Sequence, residues 1–157
     1  MDEGEFKKIT PSPKCWIFTS GGGATHGSIN VMQALAQSCN YFFYEMGYRL
    51  GTNSKGNYDS ALGLSKIEKY AKVLGLDMKS GVEITERDPN FSTESAVHSA
   101  IGQGSNAYTP VQLARYVSTI ANGGKNYSLT LLDKVVSSKG KTVLKKKSKL
   151  TNTVDAS

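Results

Sequence analysis

A mainly helical fold with one small β-hairpin is the class this sequence predicts, on three observations. Residues Asn30–Leu50 carry apolar side chains at helical spacing on both sides of a polar break, Ser38-Cys39-Asn40. Thr109-Pro110-Val111-Gln112 combines a capping threonine, a proline at the first helical position and a glutamine at the third, which is a complete helix start. Beyond Tyr127 the period changes to alternation, with a turn-forming Ser137-Ser138-Lys139-Gly140 in its middle.

Taken in order, Thr10-Pro11-Ser12-Pro13-Lys14 is an extended or turn segment, since each proline restricts itself and its predecessor. Cys15–Phe18 is then a short strand or a core-seeking plug. From Gly22 to Gly27 the glycine spacing imitates a phosphate-binding loop, but Ser28 stands where its lysine is required and no strand–loop–helix context surrounds it. His26 has the chemistry of a proton shuttle, though a polar loop histidine is more often structural. Asn30 caps the next segment with Gln33 three positions on, and Met32, Leu35, Ala36 and Cys39 form its apolar spacing. Tyr41, Phe42, Phe43, Tyr44, Met46 and Tyr48 continue it beyond the break, too much apolar area to leave in water, and Gly51 ends it. The reading that asks least is a helical hairpin whose Ser38 and Asn40 merely satisfy local backbone groups. The sharper one is a rigid apolar frame that aims those short polar side chains.

Residues 51–64 are turn-rich. Ser65-x-x-Glu68 predicts a capped helix with Ile67, Tyr70, Ala71 and Leu74 on its apolar face and Gly75 closing it. Residues 76–92 predict a surface connection with one brief strand at Val82–Ile84. Residues 93–104 predict a helical turn that becomes extended at Ile101, with Gly102 and Gly104 permitting close backbone approach. The helix opened by Thr109 should bury Leu113, Ala114, Val117, Ile120 and Ala121 and end at Asn122-Gly123-Gly124. Leu129, Leu131 and Val135 pair across the turn with Thr142–Leu144. Residues 1–144 thus form the folded part, and 145–157 a basic, flexible tail.

The 157 residues suit one domain, and the formal charge of +6 is local. Seven of the 19 basic residues fall between Lys134 and Lys149 with no acid among them, leaving 12 basic and 13 acidic residues elsewhere. A solvated lysine tail without interleaved aromatics argues against nucleic-acid binding. No apolar run is long enough to span a membrane, and the N-terminal residues lack the regions of a secretory signal. The two cysteines cannot form a zinc site without other ligands, and Cys39 reads as a buried thiol. No histidine pair at ligand spacing and no dinucleotide fingerprint is present, so neither metal nor cofactor is expected. Ser138-x-x-Lys141 matches a serine–lysine nucleophile by letter only. It falls in the predicted turn, where an exposed lysine stays protonated and makes a poor base.

The run A34-L-A-Q-S-C-N-Y-F-F-Y-E-M-G47, followed by I101-G-Q-G104, T109-P-V-Q-L-A-R115 and I120-A-N-G-G124, resembles penicillin-binding transpeptidases of the high-molecular-weight class B type. K14-C-W16 and H26-G27 resemble the approach to the same motif, so the similarity covers about Thr10 to Val136. The resemblance implies part of the β-lactamase/transpeptidase-like α/β fold, its helical portion without most of the central sheet. It implies that Ser38 relays protons between a catalytic lysine and the leaving amine. Asn40 would hold the substrate's peptide carbonyl or the acyl side chain and contact the lysine, and Cys39 would face away. Acyl transfer needs a nucleophile, a base, a proton path and oxyanion donors preorganised together. The family's nucleophilic S-x-x-K upstream and K-T-G strand downstream have no counterpart here.

The resemblance therefore implies a fragment of a serine-type D,D-transpeptidase, inactive alone. Its intact parent would be membrane-anchored outside the cytoplasm, cross-link peptidoglycan stem peptides and be acylated by β-lactams. No cofactor, nucleic acid or membrane contact is expected of this segment itself. A helical interaction module that binds peptidoglycan peptides or a protein partner is the alternative, and self-association through exposed apolar surface is compatible with either.

Overall fold

The computed structural model describes residues 1–154, in two compact units. The first comprises Met1–Ile67 with Ser92–Asn106, and the second comprises Glu68–Phe91 with the chain from Ala107 onward. In order, the elements are α1 (Trp16–Ser20), α2 (Val31–Ala36), α3 (Asn40–Gly51), α4 (Ser60–Val73), α5 (Ala96–Ser99), α6 (Pro110–Ala121), β1 (Lys125–Tyr127), β2 (Lys134–Val136), β3 (Thr142–Lys145) and β4 (Leu150–Thr153). The predicted class holds: helices dominate, and the strands form two antiparallel pairs, β1 with β4 and β2 with β3.

In the first unit the aromatic run of α3 is the frame. Phe6 is fully buried, with ring centroids 5.5, 6.0 and 5.8 Å from those of Tyr41, Tyr44 and Tyr48. These side chains recur at helical spacing, so one α3 face closes over Phe6. The neighbouring face receives α5, and Gly47 is the reason it can come so close. A Cβ there would lie 2.5 Å from the Ala96 carbonyl oxygen and 2.9 Å from Val97 Cα. A second apolar cluster gathers Cys15, Ala34 and Cys39 with Ile17, Phe18, Ile29, Phe42 and Phe43 around it.

The second unit has a polar interior. Arg115, only 2% exposed, donates to the carbonyls of Gly75, Met78 and Lys79. Glu86 accepts from the backbone N–H and hydroxyl of Ser80 and from the hydroxyl of Thr109. A connection that folds inward has to satisfy its backbone groups, and these side chains do so. They also explain where sequence reasoning failed on α6. Its capping box is formed as predicted, but Gln112, Arg115 and Thr119 face inward, while Leu113, Val117 and Ile120 remain 43–59% exposed.

Other expectations need correction. Cys15–Phe18 is not a strand, because Trp16 begins α1; Cys15, Ile17 and Phe18 do seek the core, in the second apolar cluster. Helix α4 starts at Ser60, where the Asp59 carboxylate accepts the N–H of Ala61, and Ser65 lies inside it with its hydroxyl on the Leu62 carbonyl. Tyr70 is largely exposed rather than buried. Val82–Ile84 forms no strand. The β2–β3 hairpin is present with Val135 opposite Leu144, and Ser138 and Lys141 are exposed in and beside its turn as expected. Leu129 and Leu131 precede it as irregular chain. Within the stretch read as a tail, Lys145 ends β3 and Leu150–Thr153 pair with β1, while 155–157 lie outside the described residues.

Candidate functional site

Two side chains singled out in sequence, Ser38 and Asn40, flank the junction of α2 and α3 in the first unit. Helix α2 begins with the predicted box: the Asn30 side chain accepts from the Gln33 N–H, and the Gln33 side chain from that of Asn30. It ends in a closed turn. The Cys39 N–H donates to the Ala34 carbonyl at 2.9 Å and that of Ser38 to the Leu35 carbonyl at 3.2 Å. This double closure demands a left-handed residue after the helix, a position usually given to glycine. Ser38 takes it, with φ 51°, and is the one non-glycine residue with positive φ among the described residues. The Trp16 indole N–H donates to the Gln37 carbonyl and fixes the turn from outside.

The consequence is a sharp alternation of facing. Ser38 is exposed, Cys39 is fully buried, and Asn40 is partly exposed as the first residue of α3. Its amide is hydrogen-bonded to the hydroxyl of Tyr44, one turn on, which also donates to the Lys14 carbonyl. The turn thus carries two short polar side chains on a backbone held by α2, α3 and Trp16. Non-glycine residues in this backbone region cost on the order of 1–3 kcal/mol and concentrate at functional sites.

Beneath Cys39 lies a group that sequence reasoning missed. One donor atom from each of Asp2, Cys15, His26 and Cys39 lies within 4.8 Å of the others. The Asp2 carboxylate accepts from the His26 backbone N–H and lies 2.9 Å from His26 Nδ1, and the Cys39 thiol donates to it across 3.6 Å. Cys15 Sγ is 3.6 Å from the same ring nitrogen. Burial pushes the Asp2 carboxyl up, but the N–H groups of His26 and Gly4, the His26 ring and the Cys39 thiol outweigh it and hold the carboxyl below its usual range. Burial pushes the Cys39 thiol up to about 12 against the Phe42 N–H, with Cys15 and Asp2 adding to the rise.

Two sulfurs, an imidazole nitrogen and a carboxylate oxygen are a donor set suited to tetrahedral zinc, whose bonds of about 2.0–2.3 Å put neighbouring donors roughly 3.2–3.8 Å apart. The further donors that a zinc site would need beside the two cysteines stand here in Asp2 and His26. Their separations of 11 to 13 residues form no local motif, so only the fold brings them together. In the same unit a cleft of about 380 Å³ lies between residues 1–8 and α3, lined among others by Asp2 of this cluster, Lys8, Tyr41, Phe42, Glu45 and Arg49. Neither Ser38 nor Asn40 lines it.

Comparisons with known proteins identify the family. Residues 8–155 match the penicillin binding protein transpeptidase domain. Penicillin-binding protein 2A of Bacillus subtilis is 32% identical over 127 residues, 73% of this chain and 17% of the relative. Peptidoglycan D,D-transpeptidase PbpA of Mycolicibacterium smegmatis is 32% identical over 111 residues, 66% of this chain and 20% of the relative. In structure, the penicillin G acyl-enzyme complex of penicillin-binding protein A from M. tuberculosis superposes with a TM-score of 0.70 at 21% identity, covering 96% of this chain and 33% of that one. The chain thus spans about a fifth of the length of these curated relatives. With residues 8–155 matched and relatives about a third identical, the chain belongs to the penicillin-binding protein transpeptidase domain family.

Proposed function

We propose that this chain is the part of a serine-type peptidoglycan D,D-transpeptidase that carries the second active-site motif, with Ser38 as proton relay and Asn40 as the amide that holds the substrate carbonyl. The observation that carries the reading is the turn itself: Ser38 exposed at φ 51°, Cys39 buried, Asn40 at the start of α3. An exposed hydroxyl and, two residues on, a partly exposed amide are the kinds of group that proton transfer and carbonyl binding in acyl transfer require. A curated relative bears the name D,D-transpeptidase, and a solved relative holds penicillin G as an acyl-enzyme. The substrates of the longer protein would be stem peptides, with β-lactams as their acylating mimics, on the outer side of the cell membrane. The 157 residues carry no K-T-G, and their one Ser-x-x-Lys of the kind needed for a serine nucleophile is the exposed turn at Ser138. The segment alone is therefore not competent for acylation.

Substituting Ser38→Ala and Asn40→Ala in the longer protein tests these roles. Each should slow acylation by a fluorescent penicillin by about 10²-fold or more, the usual range for a proton-transfer group. Acylation at the unsubstituted rate in both variants would overturn the assignment. Exposed Met32 and Leu35 on α2, and Leu113, Val117 and Ile120 on α6, are apolar surfaces that the rest of such a protein, or a second copy, would cover.

A second reading concerns the buried cluster, which we infer to be a zinc site that buttresses the motif turn through Cys39. Calorimetric titration of the reduced chain with zinc should show one site per chain, lost in Asp2→Ala and His26→Ala. Absence of binding to the reduced, folded chain would rule it out.

A further inference from the structure

We propose that Cys15 and Cys39 form a reversible disulfide, which makes the S-C-N turn an oxidisable site. Both are free, fully buried thiols, and they are the two cysteines of the chain. Their sulfurs belong to the group whose donor atoms lie within 4.8 Å of one another. Closing to a bond of about 2.0 Å requires a shift of no more than about 3 Å, shared between two residues. Each immediately precedes a helix in extended backbone, Cys15 at φ −65°, ψ 145° before α1 and Cys39 at φ −74°, ψ 101° before α3, so neither sulfur hangs from a helix interior. Residues 1–5, which bring Asp2 over the thiols, are tied down by isolated bridges, Asp2 to Gly27 and Glu5 to Lys14, and by the Asp2 hydrogen bonds to Gly4, His26 and Cys39, rather than by a sheet. Local opening of this segment admits a small oxidant.

The reaction is thiol–disulfide exchange with a small external disulfide such as oxidised glutathione. The Cys15 proton leaves to solvent, which leaves the thiolate as nucleophile. The thiolate attacks one glutathione sulfur, which breaks the glutathione disulfide and releases one glutathione thiolate that takes up a proton. Cys39 then gives up its proton and attacks Cys15 Sγ, expelling the second glutathione as a thiol. Two electrons pass from the protein sulfurs to glutathione, and the two protons end on the two glutathione thiols. Because Cys39 stands between Ser38 and Asn40, the new bond fixes the turn that carries them. It also consumes both sulfurs that the zinc reading requires, although it does not depend on that reading.

The test equilibrates the full reduced chain, freed of metal by a chelator, with defined ratios of reduced and oxidised glutathione. Acid quenching and alkylation then count the remaining thiols by mass. The native chain should pass from two alkylatable thiols to none with no glutathione retained. Chymotryptic peptides should place the link between Cys15 and Cys39, a step for which trypsin is unsuited because no lysine or arginine separates residues 15 and 48. The Cys15→Ser variant should instead keep one thiol or one glutathione adduct. The folded chain should favour the disulfide at least tenfold more than the same chain in concentrated guanidinium. Two thiols surviving in the folded chain under oxidising ratios would overturn the proposal, as would a disulfide no more stable in the folded chain than in the denatured one. A second series with excess zinc should slow oxidation. No slowing counts against the zinc reading and leaves the redox pair standing, so the two fail separately.

Discussion

Replacing Ser38 by glycine should stabilise this protein while removing the hydroxyl on which its proposed role depends. Ser38 sits at φ 51°, and its backbone is held there by the Cys39 and Ser38 N–H groups on the Ala34 and Leu35 carbonyls. An L-residue in the left-handed region carries a penalty of about 1–2 kcal/mol that glycine does not. Against this, glycine adds disorder to the unfolded chain worth about 0.4–1 kcal/mol. The difference predicts a net gain of roughly 0.5–1 kcal/mol, or a rise in Tm of about 1–4 °C for a domain of this size. Ser38→Ala keeps the strained backbone and loses the hydroxyl, so its stability should stay within about 0.5 kcal/mol of the parent chain. Urea denaturation of the three proteins, read by circular dichroism, separates these values if the m-values agree. Equal stability for the glycine and alanine variants, or a loss on going to glycine, would refute the strain argument. The turn would then have to be held by the serine side chain rather than imposed on it.

Phe6→Ala should cost about 3–5 kcal/mol, the range for emptying a buried aromatic site, because three tyrosines of α3 lose their common partner. Chemical denaturation measures it, and a loss below about 1 kcal/mol would mean the α3 frame does not rest on Phe6. Gly47→Val should be at least as damaging, since its Cβ would meet the α5 backbone at 2.5–2.9 Å, and a folded variant with unchanged stability would contradict that packing. In the metal-free chain the Cys39 thiol, raised on folding to about 12 from an ordinary 9, contributes stability that is complete below about 9 and is lost as pH rises toward about 12. Cys39→Ala should therefore show a flatter alkaline decline in unfolding free energy than the parent, and identical slopes would show that the thiol is not shielded.

The junction was legible because its signals are local. The Asn30 and Thr109 capping boxes each lie within four residues, and both form as the sequence predicts. The aromatic run after Asn40 reads as helix and forms one, with Tyr44 buried and the other aromatics partly so, but Met46, like Met32 and Leu35 before the break, is exposed rather than covered. What stayed hidden depends on partners distant in sequence. Arg115 and Gln112 read as the solvent side of α6 until the loop carbonyls of 75–87 are seen to need donors. The start of α4 was misplaced because Ser65-x-x-Glu68 has the letters of a cap, while Asp59 provides the cap in fact. Asp2 and His26 carry no periodicity and no motif. Their only advance signal was chemical, two cysteines and one histidine in a short span with an acid not far off. Phe6 was overlooked for the same reason, as a single aromatic in a charged, irregular stretch.

The central claim is that this chain holds the S-C-N part of a transpeptidase site without the means to acylate itself. The most direct test is intact-mass spectrometry of the purified 157-residue chain after prolonged incubation with penicillin G. The account predicts an unchanged mass. A serine ester needs a neutral lysine against the hydroxyl, and Ser138 and Lys141 are exposed at a turn, where the lysine stays charged. No hydrogen bond joins Ser38 to a lysine among the described residues, and its proposed place is second in the proton path. A stoichiometric gain equal to the antibiotic, mapped to Ser38, Ser138 or any other serine, would contradict the account.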